Sequence, residues 1–230
     1  MAPVRVALVG MGKMGRALEA LAPERDVEVV ATLHGDAALT RAALAGADVA
    51  LEFTEPHAAA ANVRACLAAG CPVVVGTTGW YDELPALAAE TQRAGGAMLW
   101  AANFSVGVNL FLRLAAHAAR LMEGAGFDTH LVETHHAAKK DAPSGTALAI
   151  TGAVEAAGAR RPAVTSVRTG HVPGTHELLF DGQFEQVRLV HEARDRRVFA
   201  DGALTAARWL VGRRGVFTMA DVIDIREDTR

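Results

Sequence analysis

The sequence predicts an α/β protein: an N-terminal Rossmann-like domain built on a parallel sheet, followed by a second α+β domain with a mixed open sheet. Three observations predict it. Strand-like and helix-like stretches alternate regularly through the first third of the chain and beyond. A G-x-G-x-x-G run, Gly10 to Gly15, directly follows the first apolar stretch. Past Asn103 the pattern changes to one long helix and then strands joined by Gly-containing turns.

Val4 to Val9 is a short apolar run rich in β-branched residues, which reads as a buried strand. Met14 to Leu21 reads as a helix, Val27 to Leu33 as a second strand, Leu39 to Leu44 as a short helix and Asp48 to Phe53 as a third strand. Pro56 opens a helix, because its missing N–H costs nothing in a first turn. Gly70 ends that helix. Pro72 to Val75, Asp82 to Arg93 and Ala97 to Trp100 continue as strand, helix, strand. Such short connections predict right-handed βαβ units. Val106 to Met122 reads as a long helix and Asp128 to His135 as a strand. A short helix begins after Ser144, and Val164–Thr169, Thr175–Phe180 and Val187–Glu192 read as further strands. Ala203 to Val211 is helical, and Val216 to Ile225 is expected to rejoin the first domain. The expected domains are therefore 1–102, rejoined by 203–230, and 103–202.

Composition narrows the function classes. A chain of 230 residues buries roughly 70% of its unfolded surface. With 51% hydrophobic and 21% charged residues it is neither disordered nor fibrous. A net charge of −3 provides no basic field for nucleic acid or an anionic membrane, so neither partner is expected. Cys66 and Cys71 are too few for a disulfide framework or a zinc site, and read as buried thiols in a reducing compartment. The longest charge-free stretch, Ala94 to Leu112, is broken by Gly95-Gly96, Asn103, Ser105, Gly107 and Asn109, so it does not read as a membrane span. MAPVRVALVGMG lacks the regions of a signal peptide, and a cytoplasmic protein is expected.

The glycine run has the context that gives it meaning, a strand before and a helix after. The first glycine permits a tight turn, the second lets backbone approach a pyrophosphate, and the third lets helix and strand pack closely. Gly10, Met11, Gly12, Lys13, Met14 and Gly15 are therefore expected to bind a dinucleotide at the helix N-terminus. Where an NAD site carries an acid at the end of the second strand, His34 stands, with Asp36 slightly late. Lys13 could reach a 2′-phosphate, whereas Glu55 would repel one. These opposed signals predict use of both NADH and NADPH.

The densest chemistry lies in Glu133-Thr134-His135-His136-Ala137-Ala138-Lys139-Lys140-Asp141-Ala142-Pro143-Ser144-Gly145-Thr146-Ala147. Adjacent histidines at a strand end point to opposite faces. Lys139 and Lys140 add positive charge. Ser144 reads as an N-cap, leaving the amides of Gly145 and Thr146 to bind a carboxylate. The segment suits a small anion plus a proton donor near pH 7. A metal site using these histidines with Asp141, His171 or His176 is disfavoured by the flanking lysines, and no metal is expected.

The string ETHHAAKKDAPSGTA closely resembles the signature of dihydrodipicolinate reductases, enzymes of the diaminopimelate route to lysine. The resemblance extends through Glu52-Phe53-Thr54, Val75 to Gly79, Ala101 to Gly107 and Phe199 to Ala203, essentially the whole chain. It implies an NAD(P)H-dependent reduction of a cyclic imine dicarboxylate, with hydride addition to a conjugated C=C–C=N system after loss of water. It implies His135 as general acid acting with Lys139, and His136, Gly145, Thr146 and Arg196 as substrate contacts, Arg197 being a rival to Arg196. Gly76, Thr77 and Thr78, with Ala101, Ala102, Asn103 and Phe104, would cradle the nicotinamide half, and His34 would lie at the adenosine side. The second domain would bind substrate and form a homotetramer, with hinges near Asn103 and near Arg197 to Ala203. The family often has an acid at His34, and some members have arginine at Glu55. Other two-domain reductases of amino-acid pathways, or a nucleotide sensor that kept the fold, would not require the histidine–lysine string.

Overall fold

The computed structural model describes residues 2–35 and 37–223. Asp36 and Ile225, both weighed above, lie outside the described residues. The chain divides into two compact units, one containing the residues up to Val106 and those from Arg197 on, the other Gly107–Arg196.

The first unit is a doubly wound sheet. Strands β1 (Val4–Val9), β2 (Val27–Leu33), β3 (Val49–Glu52), β4 (Val73–Val75), β5 (Ala97–Trp100) and β10 (Gly215–Phe217) are ordered β10-β5-β4-β3-β1-β2, and the pairs are parallel. β1 shows why such a strand is apolar throughout. Val6 and Leu8 join the core cluster of Leu18, Leu204 and Leu210, while Ala7 and Val9 join that of Val63, Cys66 and Leu87. Alternate side chains thus enter opposite layers, and both layers exclude water. Helices α1 (Lys13–Leu21) and α6 (Arg197–Leu210) supply the first layer, α2 (Pro56–Ala68) and α3 (Leu84–Arg93) the second. Cys66 in α2 and Cys71 before β4 are buried free thiols, which burial pushes up to about 12 and about 11.

Two expectations are corrected. Leu39 and Thr40 are irregular and Arg41 to Leu44 form turns, not the expected helix. Leu44 N donates to Thr40 O at 3.0 Å, but the next residues, Ala45 and Gly46, take φ of 49° and 68°. One turn stopped this early has too few hydrogen bonds to propagate. Conversely, α6 begins at Arg197, six residues before the expected helix start at Ala203. Gly202 lies inside this helix. Its place in the helix is a packing requirement, since a Cβ there would lie 1.7 Å from Phe104 O.

In the second unit, β6 (Asp128–His135), β7 (Ala163–Arg168), β8 (Thr175–Asp181) and β9 (Gln186–Glu192) form a sheet ordered β7-β6-β8-β9. The β6–β7 pair is parallel and the other two are antiparallel, so the sheet is mixed as expected. One face is covered by α4 (Val106–Gly124) and α5 (Gly145–Ala156), with Phe111, Ala115, Ile150 and Val154 packed on Leu131, Leu178 and Phe180. Burying each of these large side chains contributes roughly 1.5–3 kcal/mol. The same face of β6 carries Glu133 and His135 at its end, two and four residues beyond Leu131. The chain closes with β10 beside β5 and the short helix α7 (Met219–Val222), Met219 entering the first unit's core.

Candidate active site

The first unit offers a dinucleotide cradle at the carboxyl ends of β1, β3 and β4. The three glycines do three different things. Gly10 takes φ +96°, and a Cβ would lie 2.2 Å from Phe53 O, so only glycine turns here. A Cβ on Gly15 would lie 2.1 Å from Gly10 O, so α1 packs directly on the loop. A Cβ on Gly12 would meet nothing within 4 Å. That open backbone at the N-cap of α1 fits a pyrophosphate. A cavity of about 420 Å³ is lined by Gly10, Met11, Gly12, His34, Glu55 and His57 among others. Another of about 310 Å³ is lined by Gly12, Lys13, Met14, Thr54, Gly76, Thr77 and Thr78. Gly10 to Met14 of the loop, His34 after β2 and the G-T-T segment therefore line two cavities that share Gly12, whereas Gly15 lines neither and is buried in α1.

Fixed contacts hold this rim. Thr54 N donates to Thr77 Oγ1 at 2.8 Å, tying the loops after β3 and β4. Glu52, fully buried, accepts from the Thr54 hydroxyl and from Asn62 Nδ2 at 3.2 Å. Gly76 is required by Phe53, whose ring would lie 1.9 Å from a Cβ. Ala101, Ala102 and Asn103 follow β5. Phe104 is buried in the core, its ring 5.7 Å from that of Phe53. His34 is exposed at the end of β2, and Glu55 pairs with His57 at 3.6 Å.

The second unit gathers the titratable groups. His135 Nδ1 is hydrogen-bonded to Glu133 Oε2. Arg168 Nη2, from β7, donates to the other oxygen, Glu133 Oε1, at 2.6 Å, and to Asp141 O at 2.7 Å. Pairing makes this possible: in the sheet His135 lies beside Arg168, and Glu133 opposite His176. Burial would raise the Glu133 carboxyl, but hydrogen bonds from Arg168, Ser166 and His135 outweigh it and hold it at about 2. Burial pushes His135 below the usual histidine value, with Glu133 pulling the other way. Burial likewise pushes His176 down to about 4.

His176 links this cluster to the helix start. Its ring lies 5.3 Å from that of His135, and its Nε2 is 3.2 Å from Ser144 Oγ. Ser144 is the N-cap of α5, as the sequence predicted, its hydroxyl accepting from Ala147 N at 3.1 Å. Gly145 and Thr146 are the first two residues of that helix. Lys139, partly buried, donates to Asp141 Oδ1 at 2.8 Å, and this bond holds the Asp141 carboxyl below its ordinary value. His136, partly buried, accepts from Lys139 N through its carbonyl at 3.1 Å. Arg196 is exposed, three residues past Ala193, whose N–H donates to Gly174 O at 2.9 Å.

Ligand-type atoms of Glu133, His135 and His176 lie within 4.8 Å of one another. The donor set does not suit a cation, because both Glu133 oxygens are engaged and Arg168 and Lys139 bring positive charge. Sequence reading left Glu133, Arg168, His176 and Gly174 without catalytic roles. Glu133 could have been found, since period-two alternation puts it on the face of His135. Arg168, His176 and Gly174 come from other strands and needed the pairing register.

A glycine cradle at the ends of a doubly wound sheet, with a buried acid–base cluster elsewhere in the chain, defines an NAD(P)H-dependent oxidoreductase. Comparisons agree and go further. Residues 4–104 match the family described as "Dihydrodipicolinate reductase, N-terminus", and residues 107–223 "Dihydrodipicolinate reductase, C-terminus". A protein of Thiobacillus denitrificans named 4-hydroxy-tetrahydrodipicolinate reductase is 39% identical, covering 97% of this chain and 99% of its own length. One of the same name from Christiangramia forsetii is 33% identical over 96% and 98%. The structure titled "Dipicolinate bound Dihydrodipicolinate reductase" from Paenisporosarcina sp. TG-14 superposes with a TM-score of 0.80 at 25% identity, covering 96% of this chain and 99% of that one. The chain belongs to the dihydrodipicolinate reductase family.

Proposed function

We propose that this chain reduces 4-hydroxy-tetrahydrodipicolinate, a cyclic imine dicarboxylate, to tetrahydrodipicolinate in the diaminopimelate route to lysine. The observation that carries the reading is His135, braced by ionised Glu133, on a wall that also holds Lys139 and the start of α5. NADH or NADPH, when bound, supplies the hydride. Two carboxylates need two sets of donors. The amides of Gly145 and Thr146 suit one, and Lys139, His136 and Arg196 suit the other. Loss of water leaves a conjugated C=C–C=N system. Negative charge that builds on the ring as it is reduced is quenched by a proton from His135. That role is compatible with a lowered resting pKa, because a bound dianion next to the imidazole raises it again.

Among the described residues, His34 stands at the end of β2, where sequence reasoning expects an acid, and Glu55 and His57 line the same cavity. We read this as dual cofactor use, with kcat/KM for NADH and NADPH within ~100-fold, about 2.7 kcal/mol. The family resemblance extends the proposal to a cytoplasmic homotetramer. Among the described residues, no helix is long and apolar enough to cross a membrane. Light scattering would test the assembly.

The deciding assay follows NADPH or NADH oxidation with freshly condensed pyruvate and aspartate semialdehyde. Turnover is expected, and His135→Gln should lower kcat about 10²-fold with little change in KM. An inactive wild-type protein would refute the activity. Full kcat in His135→Gln would remove that histidine from the chemistry.

A further inference from the structure

We propose that Glu133, clamped by Arg168, is a positioning residue that keeps hydrogen on Nδ1 of His135, so that Nε2 is the atom that delivers the proton, and that Gly174 keeps the space before that nitrogen open. The inference rests on the reading of His135 as the acid, and refines which atom acts and what aims it.

Three observations carry it. First, Glu133 is fully buried and both oxygens are engaged, Oε1 by Arg168 and Oε2 by His135 Nδ1. An ionised carboxylate only accepts, so the proton of that bond sits on Nδ1. Second, Arg168 is itself fixed by its bond to Asp141 O, which prevents the carboxylate from swinging away. Third, Nε2 points at Gly174. That residue takes φ +154°, and a Cβ there would lie 3.0 Å from Nε2 and 3.3 Å from Cδ2. A side chain would therefore crowd the nitrogen that must exchange its proton.

The charged and titratable groups around the imidazole are Glu133 on its own strand, Arg168 on β7, His176 on β8 and Lys139 on the loop after β6. Asp141 pairs with Lys139, and His191 lies behind His176, ring centroids 6.5 Å apart. Among the described residues, Glu133 is the one direct neighbour that favours the charged imidazole. His176, neutral because it is buried, does not compete for the proton. Removing the Glu133 charge while keeping its shape should therefore make His135 a weaker base and free its tautomer.

The test needs no turnover in its first arm. Two-bond ¹H–¹⁵N spectra of histidine-labelled protein, with His135 assigned by its loss in His135→Gln, should show the Nδ1–H tautomer in the wild type. The opposite tautomer overturns the proposal whether or not any variant folds. In Glu133→Gln the tautomer should mix or invert, kcat should fall about 10- to 100-fold, and the high-pH fall of kcat should move about one unit lower. Glu133→Asp, which keeps the charge, should restore the position of that limb. An unmoved limb in Glu133→Gln overturns the positioning role. Gly174→Ala should lower kcat about 10-fold with tautomer and limb unchanged, and undiminished kcat there overturns the claim about space. Failure of the underlying reading looks different: His135→Gln would keep its kcat while the wild-type tautomer still held.

Discussion

Substituting Gly12 by alanine should separate cofactor binding from folding. Gly12 is the N-cap of α1 with φ −73°, which alanine adopts, and its Cβ would meet nothing within 4 Å. Two small effects oppose each other in the protein alone. Alanine removes chain entropy from the unfolded state, worth about 0.4–1 kcal/mol, and is a poorer N-cap by a comparable amount. The melting temperature should therefore stay within about 3 °C of wild type. Bound dinucleotide meets a different balance. A methyl group occupies the space through which a phosphate oxygen reaches backbone N–H, and losing one such charge-assisted bond costs about 1.5–3 kcal/mol. That is about 10- to 150-fold in Kd. NADH and NADPH should lose alike, because they share the pyrophosphate. Gly15→Ala is the contrast. Its Cβ would collide with Gly10 O at 2.1 Å, so it should destabilise the fold itself by about 1–3 kcal/mol. Titration calorimetry with each cofactor and cofactor-free melts decide the matter. A Gly12→Ala protein that binds both cofactors like wild type, or that melts as low as Gly15→Ala, refutes the reasoning.

Other consequences can be measured alongside. Lys139→Ala should weaken binding of pyridine-2,6-dicarboxylate by about tenfold or more in calorimetry, since it removes an anion contact, and an unaltered affinity would contradict the assigned carboxylate site. Ser144→Ala removes the α5 cap and the partner of buried His176, so it should cost about 1–2 kcal/mol in denaturant unfolding. His176 titrates at about 4 when folded and 6.5 as the ordinary value, so the unfolded chain binds more protons between those pH values. Stability should therefore fall as pH drops from 6.5 towards 4, by on the order of 3 kcal/mol, and His176→Leu should flatten that part of the curve. Glu133 has the usual carboxylate sign: its stabilisation is present above about 4.5 and is lost as pH falls towards 2.

Much of the fold was legible because strand and helix carry different hydrophobic periods. Ala97–Trp100 and Asp128–His135 could be read to the residue, bounded by glycine, by turn chemistry or by charge. What escaped is instructive. Gly202 sits inside α6, where Phe104 O leaves no room for a side chain. A glycine inside a helix reports a close neighbour, and that neighbour is distant in sequence. In the site, the cofactor loop was legible because it is made of backbone, and spacing alone specifies it. The acid cluster was only half legible. Its histidine and lysine sit in one continuous string, but Arg168, Gly174 and His176 arrive through strand pairing.

That difference bears on what each unit asks of its residues. The glycine cradle offers a pyrophosphate fixed backbone dipoles, which depend on the turn and helix start more than on charge balance among side chains. The His135 cluster works through charge balance among side chains. With no dianion present, burial leaves the imidazole below its ordinary value, while Glu133 stays ionised beneath it. Negative charge brought to that face raises the imidazole's affinity for a second proton, on Nε2. The protein carries its cations, Lys139 and Arg168, already paired with Asp141 and Glu133. On the proposed reading, a bound dicarboxylate raises the His135 imidazole, and a neutral analogue of the same shape does not.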